Sequence, residues 1–160
     1  MATWGGFRDL VPELAEFGAA RLLAVPAYLA TIRRGGAPRV HPVSPVIAGP
    51  GLFVFMEPDS PKGHDLRLRR SYAMHSGLSS GEGLAGEFVV FGEAEVVDDG
   101  ARRAAAVADA SYETLERYVL YELTVTEARS NIFGDERLLP SPRRWAEAGD
   151  APTPAIDGIA

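Results

Sequence analysis

Ala27-Tyr28-Leu29-Ala30-Thr31-Ile32-Arg33-Arg34-Gly35-Gly36-Ala37-Pro38-Arg39-Val40-His41-Pro42-Val43-Ser44-Pro45-Val46-Ile47 is the stretch that decides the fold. Its first part, through Ile32, is rich in β-branched and aromatic residues, and Arg34 to Pro38 is a turn signal. Arg39 to Ile47 then reads as a second strand. Pro42 and Pro45 cannot donate ladder hydrogen bonds, so this strand belongs at a sheet edge or carries a bulge. Two antiparallel strands joined by a short turn are thus set before any longer element is read.

Working outward, Leu10, Leu14, Phe17 and Ala20 recur at helical spacing on the N-terminal side, with Asp9 as a cap near Pro12. On the other side, Leu52 to Met56 is a short apolar strand and Pro61 opens a helix running to Arg70. Tyr72 to Ser76 reads as a strand, and Gly77 to Gly86 as a loop. Glu87 to Val97 is the longest strand, with Gly92 as a bulge or bend. Asp98 or Asp99 caps an alanine-rich helix over 101–110, and Leu115, Tyr118 and Val119 predict a further helical turn. Tyr121, Leu123 and Val125 alternate with Glu122, Thr124 and Thr126, the pattern of a strand buried on one face. The chain from Glu147 onward is expected to be a loose tail.

Six strands with hairpin-scale connections and inserted helices predict a mainly β, α+β architecture, an antiparallel barrel or sandwich. Too few strands alternate with long helices for a parallel doubly wound sheet. At 160 residues the chain is expected to form one domain over 1–160. Burial of roughly 70% of the unfolded surface at this size needs no metal or disulfide.

The chain has no cysteine, which excludes thiol nucleophiles, iron–sulfur clusters and Cys-bound zinc. Residues 1–20 carry Asp9, Glu13 and Glu16 and lack the basic start and apolar run of a secretory signal, so a cytoplasmic protein is expected. A net charge of −6 argues against nucleic-acid and anionic-membrane partners. Lys62 is the one lysine among 16 basic residues, and a compact ammonium kept in an arginine-rich chain raises the question of what it binds.

Several motifs fail on context. Gly81-Glu82-Gly83-Leu84-Ala85-Gly86 matches the dinucleotide pattern, but a strand follows where a helix is required, so it reads as a hairpin loop. Gly77-Leu78-Ser79-Ser80-Gly81 matches a nucleophile elbow, yet His41, His64 and His75 all precede Ser79. Those histidines lack metal-ligand spacing, and Asp98-Asp99 is explained by capping.

One constellation survives. Arg39-Val40-His41-Pro42-Val43-Ser44 lies on a strand, and Asp59-Ser60-Pro61-Lys62-Gly63-His64-Asp65-Leu66 opens a helix. Lys62 falls in the first helical turn, where free N–H groups favour an anion. Ser60 adds a hydroxyl, and a strand arginine can fork onto the same phosphate. A surface lysine beside a serine cap is the competing reading of the same residues.

The order of these pieces resembles the pyridoxamine 5′-phosphate oxidase-like, FMN-binding split-barrel superfamily: an N-terminal helix, Ala27 to Arg33, Gly-Gly-Ala-Pro-Arg39 to Val43, an apolar strand, then Ser60-x-Lys62 with Asp65-Leu66. The resemblance covers Ala27 to Val97 well and the rest loosely. It implies a homodimer of six-stranded antiparallel split barrels, with FMN in each of two clefts between subunits. On this resemblance Arg39 and Lys62 hold the FMN phosphate and Ser60 donates to it. Val40, His41, Pro42, Val43 and Ser44 line the isoalloxazine. His75 and Ser76 fall where cleft residues occur, and Arg143-Arg144-Trp145 is similar to an Arg/Trp ending that reaches the cofactor.

The resemblance implies an oxidoreductase that moves hydride between a reduced nucleotide and an unknown small acceptor, and it assigns no catalytic side chain. The cofactor would do the hydride chemistry. The substrate-phosphate residues of true pyridoxamine phosphate oxidases are not found here. Related proteins use the deazaflavin F420 or bind haem or bilins, some without catalysis, and a barrel with a decayed site is a further alternative. A single lysine favours FMN over F420.

Overall fold

The computed structural model describes residues 1–24, 26–78, 86–132, 140 and 143–147. The predicted loop residues from Ser79 to Ala85, with most of both glycine motifs, lie outside the described residues, as does the predicted tail beyond Glu147.

The hairpin forms as its sequence dictates. Strands β1 (Ala27–Ile32) and β2 (Pro38–Val43) pair antiparallel with Tyr28 opposite Pro42 and Ile32 opposite Pro38. Gly36 closes the turn at φ +88°, a backbone region that side chains disfavour. Strand β2 is at the sheet edge, where its prolines forfeit no ladder partner. The expected single strand from Arg39 to Ile47 is instead two. A separate β3 (Val46–Ala48) follows Pro45 and pairs with β4 (Gly51–Met56).

The remaining strands are β5 (Ser71–His75), β6 (Glu87–Val96), β7 (Val119–Leu123), β8 (Glu127–Asn131) and β9 (Arg144–Ala146). Together they make a nine-stranded antiparallel sheet in the order β2-β1-β5-β6-β7-β4-β3, with β8 beside β6 and β9 beside β8. The sheet curls into a split barrel of α+β type, with more strands than the six expected. Strands β8 and β9 went unpredicted because Glu127-Ala-Arg-Ser-Asn131 has neither alternation nor β-branched residues.

The curl is centred on β6. Along one edge its first half pairs with β8 and its last residues pair with β7. The changeover falls at Gly92, where a Cβ would overlap the Thr124 carbonyl oxygen. Thr124 N–H donates to the Glu93 carbonyl at 2.9 Å, so the backbone following β7 crosses close over the glycine. The predicted bend at Gly92 is therefore a point of backbone approach.

Among the described residues four helices flank the sheet. The single N-terminal helix expected from periodicity is two, α1 (Trp4–Leu10) and α2 (Pro12–Leu22). Thr3, not Asp9, supplies the side-chain cap, on Gly6 N–H of α1, and Pro12 begins α2. Proline suits a first helical position and cannot continue the helix before it. Trp4, Phe7, Leu14 and Leu22 pack with Leu29, Met74 and Phe88 in the main core. Helix α3 (Pro61–Leu68) is capped by Ser60, and α4 (Gly100–Asp109) by Asp99.

Helix α4 covers a second core of Val46, Ala48, Phe53, Val97, Ala106 and Leu120. For that reason β7 is buried on both faces, contrary to the one-face expectation. Glu122 is 6% exposed and ion-paired with Arg102 of α4. Leu115 to Tyr118 form no helix; their segment leads directly into β7.

Candidate functional site

Strand β2 and the start of α3 come together as the sequence motifs anticipate. The Ser60 hydroxyl accepts from Gly63 N–H at 3.2 Å and fixes the first turn of α3. Pro61 at the first helical position leaves the adjacent Lys62 on the same turn. Asp65, one turn later, takes Arg39 Nε at 2.7 Å and the Thr31 hydroxyl at 2.9 Å. These bonds tie α3 across β1 to the edge strand.

Between these elements lies a cavity of about 380 Å³ lined by Pro26, Pro42, Val43, Ser44, Phe55, Met56, Glu57, Ser60, Lys62, Tyr112, Glu113 and Tyr118. Five of the residues singled out from sequence meet there: Pro42, Val43, Ser44, Ser60 and Lys62. Burial lowers the Lys62 pKa from its ordinary value. An ammonium held this way gains from a bound anion. Glu57 differs, since Arg117 holds it bidentately at 2.7 and 2.9 Å.

The other sequence-chosen residues stand outside this lining. Arg39 directs Nε at Asp65, and burial of that carboxyl, which alone would raise its pKa, is outweighed by the Arg39 and Thr31 hydrogen bonds and the Arg39 charge. The Asp65 pKa is accordingly lowered. His41 shares the Arg39 face of β2 and is half-buried. Val40 is on the opposite face and 59% exposed. His75 Nδ1 donates to the Ser76 carbonyl at 2.5 Å, and Nε2 is 3.1 Å from Glu87 Oε2. Trp145 packs on Phe7 at 5.3 Å between ring centroids, against the main core. Arg144 pairs with Glu127 at 2.9 Å.

Phe55, Tyr112, Glu113 and Tyr118 were not anticipated. Phe55 was read only as part of an apolar strand. Tyr112 and Tyr118 fall in the segment after α4, and nothing local announces that it folds back over β2. Its anchor is a tertiary bond, with the Tyr112 hydroxyl donating to the Ser44 carbonyl at 3.0 Å.

A curled antiparallel sheet, an edge strand facing the start of a short capped helix, and a lysine-bearing cavity between them define the fold as a split barrel. Solved structures with the same fold include a haem-binding protein from Mycobacterium smegmatis, at 19% identity and TM-score 0.60 over 74% of this chain and 52% of that one. The present chain thus spans about half the length of that protein. A NimC/NimA family protein from Clostridium acetobutylicum matches at 18% identity and TM-score 0.58, over 80% of this chain and 88% of that one. An F420 reductase matches at 18% identity and TM-score 0.55, over 69% and 93% of the two chains. No protein-family profile and no curated protein matches the sequence. Among the described residues no helix is long and apolar enough to cross a membrane.

Proposed function

We propose that this chain is an FMN-binding oxidoreductase acting as a homodimer in the cytoplasm, passing hydride to a small acceptor. The observation that carries the reading is Lys62. The only lysine of the chain is desolvated in a cavity that also holds Ser60, the β2 residues Pro42 and Val43, and Ser44 just beyond that strand, all anticipated from sequence.

The residues present fit a flavin. The volume lies within the range of about 300–1,000 Å³ usual for small-molecule sites. Phe55, Met56 and Val43 offer an apolar wall for a flat ring, with Tyr112 and Tyr118 at the same cavity. Lys62 and Ser60 would hold the single phosphate, and β2 would flank the ring. When bound, FMN supplies the hydride and electron chemistry, which the side chains need not provide. Their part is to bind the phosphate, orient the ring and exclude water.

Charge favours FMN over F420. Among the described lining residues Lys62 is the one cation and matches one anionic group, whereas Glu113 in the same lining repels a tail bearing several carboxylates. Haem is less well served, because none of the three histidines is among the lining residues.

The homodimer is supported by an apolar face outside the barrel. Tyr28, Ala30, Val40, Pro42, Ala73 and Val89 share that face by strand register, with His75, held by Glu87, among them. Tyr28 is 49% and Val40 59% exposed, and exposed apolar patches of this kind mark interaction surfaces.

The test is to purify the protein without added cofactor, record its visible spectrum and identify any released molecule by mass spectrometry. Bound FMN that is reduced by NAD(P)H and reoxidised by an acceptor supports the proposal. A protein that takes up no FMN on titration overturns it, and one that binds FMN without turnover is a carrier.

A further inference from the structure

A second cavity, of about 260 Å³, adjoins the first and shares Pro26 and Ser44 with it. The Tyr112–Ser44 hydrogen bond is close to both, since Ser44 lines the two cavities, Tyr112 lines the first and its neighbour Ser111 lines the second. The lining of the second is mixed, and Leu22, Leu23, Ala24, Pro26 and Pro45 make the apolar side. Its polar lining is Ser44, Ser111 and one ionised side chain, Asp109.

Asp109 is out of place for folding. It is the last residue of α4, where the helix dipole disfavours a carboxylate, and that last turn has no basic residue. Among the described residues no group pairs with it; the two helix arginines nearest in sequence are engaged elsewhere, Arg102 with Glu122 and Arg103 with the Leu115, Glu116 and Tyr118 carbonyls. Leu23 beside it in the lining is 53% exposed. A carboxylate without a partner among the described residues, facing a cavity with one apolar side, complements a ligand with a positive head and an apolar body.

We infer that the second cavity binds a small organic cation, an apolar amine in its ammonium form, with Asp109 as counter-ion. The inference rests on this cavity and does not depend on the identity of the cofactor in the first.

The test compares benzylammonium with benzyl alcohol, nearly the same shape without the charge, by amide chemical-shift titration at pH 7. Benzylammonium is expected to shift Leu23, Ala24, Ser44 and Ser111 saturably and to bind about two- to fivefold tighter than the alcohol, as an exposed ion pair allows. Asp109→Asn should abolish the preference while folding normally, since it removes a charge that the helix end disfavours. Lys62→Met should leave the titration unchanged, whatever it does to flavin binding. Equal binding of the two probes, shifts confined to other residues, an unaltered preference in Asp109→Asn, or no saturable binding would each overturn the inference.

Discussion

Arg39 Nε lies 2.7 Å from Asp65 Oδ2, joining an edge strand to a short helix across 26 residues of sequence. The side chains are 23% and 8% exposed, so the pair is largely withdrawn from solvent. The two elements it joins carry opposite walls of the larger cavity. The arginine that sequence alone would assign to a phosphate thus has a structural partner as well.

Asp65→Asn should cost about 3 kcal/mol, measured by urea unfolding, because it strands a partly buried guanidinium. The pH dependence follows from the sign of the shift. The folded Asp65 pKa is below its ordinary 3.8, so its contribution is intact above that pH and lost as pH falls through the lower native value. Between pH 5 and 2 the variant should lose stability less steeply than the parent. Some slope should persist, because the Glu127 pKa is also lowered: burial opposes, but hydrogen bonds from Arg129 and Arg144 prevail.

Lys62→Met should abolish FMN binding without lowering the melting temperature of the apoprotein. The folded state disfavours the charged amine, so an apolar replacement relieves a desolvation cost. Added FMN at a hundred times its Kd stabilises the parent by about 2.7 kcal/mol through mass action. Thermal melts with and without FMN separate the two proteins; an equal rise in both would remove Lys62 from the site.

Gly92→Ala should be among the most damaging single substitutions in the chain, costing about 3 kcal/mol or more. The added methyl meets the Thr124 carbonyl, a backbone atom that cannot move aside without breaking the β6–β7 crossing. Denaturant midpoints compared with Gly35→Ala, a position with open space, give the control.

The Arg102–Glu122 pair docks α4 on the sheet, yet Glu122 Oε1 is buried without a hydrogen bond. Arg102→Met, which strands the buried carboxylate, should therefore destabilise by about 3 kcal/mol, while the double replacement Arg102→Met with Glu122→Leu should recover most of it. A double-mutant cycle reads both quantities. Full additivity of the single changes would show that the pair does not act as a unit.

Val40→Asp should halve the solution mass measured by light scattering, if the exposed β1–β2 face joins two copies. Its effect on the fold should stay within about 0.5 kcal/mol, because the side chain projects into solvent. A parent protein that is monomeric at micromolar concentration would dismiss the dimer.

Much of the frame was legible because the relevant physics is short-ranged. Gly35-Gly36 sets the hairpin, Pro42 marks the edge, and Ser60-Pro61 and Asp99 set helix starts. Val11-Pro12 was misread because the apolar spacing runs on through the break, whereas the proline N–H that a continuous helix needs is missing. Leu115 and Tyr118 kept helical spacing in a segment that is not helical, since three residues at the right interval do not supply a nucleus.

Sequence by itself determined the local pieces: the hairpin, the edge strand, the capped start of α3, and a lone lysine placed on it. Tertiary structure alone decided that Arg39 serves Asp65, that Glu122 is buried beneath α4, and that Tyr112 reaches the Ser44 carbonyl, 68 residues away in sequence, beside two cavities. Propensity, capping and turn chemistry act over a few residues. Which side chains become partners across the molecule depends on how whole elements pack, and no spacing in the chain records it.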